Sequence, residues 1–245
     1  MTDKSLSFRS RLIDAGIAAD CDKFVRHAYH YAYAQALYAL AERPSQHILE
    51  IGYGGGASLG LWRKLFPNSQ VICIDIDHEL EGEGFSVVRA DQSDPSEILA
   101  AASRCGCSFD LIIDDGSHHP MHQISSFCQL FPLLSDEGVY IIEDVETSYW
   151  RQGELYGNTF NYGLADPWSS IEIFKLSADY INRKFLSDAD INVVGYRLLS
   201  LGMDPNVLDT ALSVQFFPNM IAVTKLATFQ EEFAGDYINA RLAER

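Results

Sequence analysis

The chain has 245 residues, enough for one large α/β domain with a full core. Its formal net charge of −16 argues against nucleic acid and anionic membrane surfaces as partners, because phosphate binding needs a basic face. No apolar run reaches the ~20 residues of a membrane span, and residues 1–10 hold no apolar stretch of the signal-peptide kind, so a cytoplasmic protein is expected.

In chain order, residues 22–42 are rich in Ala and Tyr and run up to Pro44, which predicts a helix. Residues 47–52 read as a short buried strand, 57–66 as a helix stopped by Pro67-Asn68, and 70–77 as a second strand. A third strand is expected over 85–91, a helix over 95–104, a fourth strand over 109–116, a helix over 120–134 and a fifth strand over 138–144. Alternating strands and helices imply a parallel sheet with right-handed crossovers. Farther on, 168–186 reads as a helix, while 188–209 fits no single element. Residues 211–217 and 220–226, separated by Pro218-Asn219, read as an antiparallel pair, and 228–245 as a polar-faced helix. Five parallel strands followed by an antiparallel hairpin resemble the build of the class I methyltransferases, and that resemblance implies a Rossmann-like α/β sheet of seven strands in the order 3-2-1-4-5-7-6. Residues 1–46 form its N-terminal helical cap, and the whole of 1–245 is one domain. The five cysteines are odd in number and scattered. Cys73 is expected in the core, and Cys105 and Cys107 as two loop thiols rather than half of a metal site.

The first motif, Glu50-Ile51-Gly52-Tyr53-Gly54-Gly55-Gly56-Ala57, lies between the first strand and its helix. Glycines there let the backbone turn sharply and approach a ligand. The spacing Gly52-x-Gly54-x-x-Ala57 fits a dinucleotide loop. It also fits the cofactor loop of methyltransferases, with Glu50 two residues before the first glycine. S-adenosylmethionine (SAM) carries positive charge and no phosphate, which suits an acidic loop. Asp75, ahead of Asp77, ends the second strand and can accept hydrogen bonds from ribose hydroxyls of either cofactor. Asp91-Gln92 follows the third strand, where methyltransferases hold adenine, and Asp94-Pro95 reads as a helix start.

Asp114-Asp115-Gly116-Ser117-His118 ends the fourth strand and Glu143-Asp144 the fifth. Ligands of open α/β sheets bind at the carboxyl ends of the strands, and these two are expected to be neighbours. Carboxylates gathered in one cleft repel unless a cation joins them, and oxygen donors suit Mg²⁺ or Mn²⁺.

These stretches carry a resemblance. Residues 91–95, 109–119 and 138–150, with 22–33 before the glycine loop and 216–225 near the end, resemble the metal-dependent sugar O-methyltransferases of macrolide and related glycoside biosynthesis. The resemblance runs from about Asp22 to Lys225. It implies a metal held by Asp115, Glu143 and Asp144, and His118 as general base. It implies a SAM site of Glu50, Gly52, Gly54, Asp75, Asp91 and Gln92, covered by the helix around Tyr29 and Tyr33. The implied function is SAM- and Mg²⁺-dependent methylation of a hydroxyl on a sugar or glycosylated natural product, by a homo-oligomeric enzyme. With about 46 residues ahead of the first strand, the extra N-terminal domain of the characterised macrolide enzymes is not expected in this chain.

A catechol-like O-methyltransferase, a non-catalytic SAM-binding protein and an NAD-dependent oxidoreductase are the alternative readings. Tyr149 and Trp150 could stack on a sugar or pin the loop that follows; His119 and His122 are given no role. Residues 145–167 are long for a connector and are expected to be an active-site lid.

Overall fold

The computed structural model describes residues 3–43 and 45–226; Pro44 and the helix expected over 228–245 lie outside the described residues. Its strands are β1 (His47–Ile51), β2 (Gln70–Asp75), β3 (Leu80–Gly82), β4 (Phe85–Arg89), β5 (Phe109–Asp114), β6 (Leu134–Glu143), β7 (Gly153–Leu155), β8 (Asn158–Phe160), β9 (Ala211–Phe217) and β10 (Met220–Lys225). Eight of them form one sheet in the order β3-β4-β2-β1-β5-β6-β10-β9. β4, β2, β1, β5 and β6 are parallel, and β10 runs antiparallel between β6 and β9. The expected seven strands keep their order, and the sheet gains an eighth, β3, antiparallel at the β4 edge. β3 is three exposed residues long, too short and too polar to show as a strand in sequence. β7 and β8 pair only with each other.

The parallel strands are buried on both faces, which is why they read as continuous apolar runs. Leu49, Ile51 and Ile112 face a core closed by Ile98, Ile124, Phe127 and Phe174. Ile48, Leu111 and Ile113 face a second core closed by Leu12, Leu37 and Trp62. The first set of helices is α5 (Pro95–Ser103), α6 (Pro120–Leu130) and α7 (Ser170–Ile181); the second is α1 (Asp3–Ala18), α3 (His30–Ala36) and α4 (Ala57–Leu65). Asp94 caps α5 through Ser96 N and Glu97 N, and Ser169 caps α7 through Glu172 N. The segment that fitted no element is α8 (Asp188–Ser200), capped by Ser187, followed by a 3₁₀ turn over Pro205–Thr210. No helix among the described residues is long and apolar enough to cross a membrane.

Two expectations are corrected. Residues 22–42 are not one helix: α2 (Asp22–Val25) stops after a turn, and Ala28 takes φ +55° before α3 begins. The break lets Tyr29 N donate to Lys23 O at 2.9 Å and turns both side chains toward the carboxyl ends of the strands. Cys105 and Cys107 are not free loop thiols but a disulfide across Gly106, whose φ of +63° folds the chain back tightly enough to join them.

Candidate active site

The glycine loop leaves β1 with Gly52, Gly54 and Gly56 all at positive φ. A side chain at Gly52 would collide with the Asp115 carbonyl, so this glycine lets the β1 and β5 loops touch. A Cβ at Gly54 or Gly55 would meet nothing within 4 Å; both face open space. Gly54 opens onto a cavity of ≈ 670 Å³ lined by Gly52, Gly54, Asp75, Ile76, Asp91, Gln92 and His122. Asp75 bridges its floor, accepting from Tyr53 N at 2.9 Å through Oδ2 and from Asp77 N at 2.9 Å through Oδ1. Partial burial raises this carboxyl's pKa, but those N–H donors and the His78 ring outweigh it and hold it below the usual range. The donors spare a lone pair on Oδ2 for a further hydroxyl. Gln92 lines the cavity but spends its amide inward, on Asp114 and Ser126, and accepts from Ser117 N at 2.7 Å. Asp91 stays half-buried at the wall.

A second cavity, ≈ 640 Å³, opens between the glycine loop and residues 20–27 and reaches Asp115, His118 and Asp144. Ligand atoms of these three residues lie within 4.8 Å of one another. His118 and Asp144 both hold left-handed backbone, φ +55° and +51°, where non-glycine residues are strained. Such strain gathers where a side chain must be aimed. His118 is anchored from behind, its carbonyl accepting from Thr147 Oγ1 at 2.7 Å, and its Nε2 lies 3.9 Å from Asp144 Oδ2.

Beneath the three sits a buried charge network that sequence reasoning missed. Lys23 is 1% exposed, and its Nζ donates to Asp115 Oδ2 and, at 2.6 Å, to Glu143 Oε2. Glu50 Oε1 is 3.3 Å away. Burial pushes the ammonium pKa down, but three carboxylates around it raise it well above its ordinary value. One ammonium cannot neutralise three carboxylates, two of them buried; burial, together with Asp115, raises Glu143 well above the usual range against the pull of Lys23. Tyr33 donates to Glu143 Oε1 and Tyr29 to Asp144 Oδ1. Asn219, in the β9–β10 turn at φ +60°, donates to Asp144 Oδ1 at 3.0 Å and to the Tyr29 hydroxyl at 2.8 Å.

Of the residues expected at the metal, Asp115 and Asp144 face the second cavity with His118, whereas Glu143 points behind them to Lys23 and Tyr33. Of those expected at the cofactor, Gly52, Gly54, Asp75, Asp91 and Gln92 line the first cavity. Glu50 does not: it shares the inward face of β1 with Ile48 and accepts from Trp62 Nε1 at 2.9 Å. Tyr29 and Tyr33 line neither cavity and instead brace the carboxylates. Trp150 pins the following hairpin, packing on Gly153 and edge-on to Phe160 at 5.4 Å. His119 is enclosed by Phe160 and Tyr162, and burial with the His122 ring beside it pushes its pKa down to about 4.

A parallel Rossmann-like sheet closed by an antiparallel hairpin, with a glycine-lined cavity at its carboxyl edge, is the fold of the class I methyltransferases. No protein-family model matches the chain. Within that class it is similar to sugar O-methyltransferases. It is 38% identical over 139 residues to 8-demethyl-8-alpha-L-rhamnosyl tetracenomycin-C 2'-O-methyltransferase of Streptomyces olivaceus, covering 53% of this chain and 36% of that protein. It is 34% identical over 158 residues to demethylmacrocin O-methyltransferase of Streptomyces fradiae, covering 61% and 39%. With mycinamicin VI 2''-O-methyltransferase of Micromonospora griseorubida it shares 38% over 162 residues, covering 61% and 38%. The chain thus spans little more than a third of the length of these relatives. Among solved structures, the MycE methyltransferase of the mycinamycin pathway in complex with Mg and S-adenosylhomocysteine (SAH) superposes with a TM-score of 0.73 at 25% identity, covering 88% of this chain and 54% of that one.

Proposed function

We propose that this protein is a SAM- and Mg²⁺-dependent O-methyltransferase acting on a hydroxyl of a sugar or glycosylated natural product. The observation that carries the reading is the meeting of Asp115, His118 and Asp144 within 4.8 Å, beside a cavity walled by Gly52, Gly54 and Asp75. The cofactor suits that cavity: Gly54 leaves room a side chain would fill, and Asp75 keeps an ionised carboxylate for ribose. Asp91 and Gln92 stand where adenine would lie. The donor set suits a hard divalent ion, since Asp115 and Asp144 offer carboxylate oxygens to one space. Mg²⁺ in such a site orients an acceptor hydroxyl and lowers its pKa.

The chain's own residues then do the rest. Tyr29 and Asn219 fix the Asp144 carboxylate, and Lys23 fixes Asp115. His118, held by Thr147, presents Nε2 to the same space and takes the hydroxyl proton as the oxygen attacks the methyl group. Holding both reactants at the junction of the two cavities supplies much of the acceleration. Residues 1–46 act as the cap and 145–167 as the lid in this reading. Homo-oligomeric assembly and a cytoplasmic location are part of the same proposal. The test is methyl transfer from labelled SAM to a panel of rhamnosides and phenols, read by mass spectrometry with EDTA and with Mg²⁺. Turnover of a glycoside that needs Mg²⁺ is expected. Full activity in EDTA, or tighter binding of NAD than of SAH, would overturn the reading.

A further inference from the structure

One residue at the junction of the cavities is not explained by the fold. β7 and β8 are joined by the two-residue loop Tyr156-Gly157, flanked by the Leu155–Asn158 pair. Both loop residues have positive φ, +50° and +76°, the geometry of a type I′ hairpin turn. Such turns favour Asn, Asp or Gly at the first position, because a larger side chain is strained there. The tyrosine is not repaid by burial, for it is 72% exposed. Making the turn therefore does not call for it.

Its surroundings do. The Tyr156 ring lies 5.7 Å from the His118 ring, tilted by 47°. Among the described residues, only Gly52, Gly54, Asp115 and Tyr156 line both cavities, and Tyr156 is the one aromatic among them. The hairpin that carries it is held at its base. Phe160 is fully buried between Trp150 and His119, and Tyr162 N donates to Trp150 O at 2.8 Å. A fixed base presents an exposed aromatic ring beside the candidate base, at the junction of the two cavities.

We propose that Tyr156 is the platform on which the C–H face of the acceptor sugar lies. The proposal rests on the O-methyltransferase reading above. A pyranose has an apolar C–H face to cover the exposed phenol ring and a hydroxyl edge to turn toward Asp115 and Asp144. Asp20, Asp22, Arg26 and His27 on the opposite wall suit a ligand with many hydroxyls better than a flat phenol.

The experiment uses methyl α-L-rhamnopyranoside as probe, with SAH and Mg²⁺ present, and measures its binding to wild type, Y156A and Y156F by saturation-transfer NMR; calorimetry gives the SAH affinity of each. Wild type is expected to saturate the pyranoside ring protons. Y156A should weaken the probe roughly tenfold, Y156F should keep it within about twofold, and SAH should bind all three alike. Unchanged probe binding in Y156A would overturn the proposal. So would a loss of SAH affinity as large as the loss of probe, which would make Tyr156 a cofactor cover. Wild type that binds SAH and catechol but no pyranoside would also overturn it. Failure of wild type to bind SAH at all would instead bring down the methyltransferase reading.

Discussion

Replacing Lys23 by Met keeps most of the side chain's volume and removes only its charge. Nζ lies 2.6 Å from Glu143 Oε2 and 3.3 Å from Glu50 Oε1, and also contacts Asp115. At an effective dielectric of about 20, each of these two contacts, counted as a pair of full charges, is a gross attraction of roughly 5–6 kcal/mol. Most of that offsets the desolvation of the ammonium, so the net loss on removing one partner from a buried network is about 3–5 kcal/mol. For a chain of this length, 1 kcal/mol moves the melting temperature by roughly 2–4 °C, which sets the expected fall for K23M at about 6–20 °C. The assay is thermal unfolding followed by circular dichroism, with K23M/E143Q alongside. If the deficit comes from carboxylates left without a counter-charge, neutralising Glu143 should restore part of it. A K23M melting point within about 2 °C of wild type, or a double variant no better than the single one, would refute the argument.

G52A should unfold at lower temperature and lose SAH binding measured by calorimetry, because its methyl would strike the Asp115 carbonyl from a backbone held at φ +96°. H118A should lose on the order of 10²- to 10⁴-fold in kcat while SAH affinity stays near wild type; retention of most of the rate would remove His118 from the base role. Titration of unreduced, denatured protein with a thiol reagent should find three thiols, Cys21, Cys73 and Cys128, rather than five. In the native protein Cys21 and Cys128 should react slowly, since burial pushes their thiols up to about 12 and about 11.

The parallel strands were legible because each is an apolar run ended by Gly or Asp; alternation with helices made them parallel, and their order came from the resemblance to the class I methyltransferases. What sequence could not show was set by distant contacts. A lone lysine reads as a surface residue, since lysines are seldom buried. Lys23 is recognisable only once folding brings Glu50, Asp115 and Glu143 to it from three strands. The Ala- and Tyr-rich stretch has helical composition throughout, and nothing in its pattern marks Ala28 as the left-handed residue that breaks it. Glu50 and the two tyrosines stand at the expected positions in the chain, but which way a side chain points at a strand end depends on what lies behind it. Here that is Lys23 and Trp62. By contrast, α1 carried a readable signal in Phe8, Leu12 and Ala15, spaced to share one helical face and all buried.

The bond from Asn219 to the Tyr29 hydroxyl spans 190 positions of sequence. Contacts so far apart are made late, because a long loop must close before anything rewards the closure. On a ribosome, the parallel core of β1, β2, β4 and β5 can begin to form long before the turn at residue 219 has been made. Asp144, however, cannot receive its amide donor until that turn emerges and β10 slips in beside β6. The acidic site is therefore finished by the last strand of the described residues. A nascent chain carrying most of the sheet would still lack a completed centre.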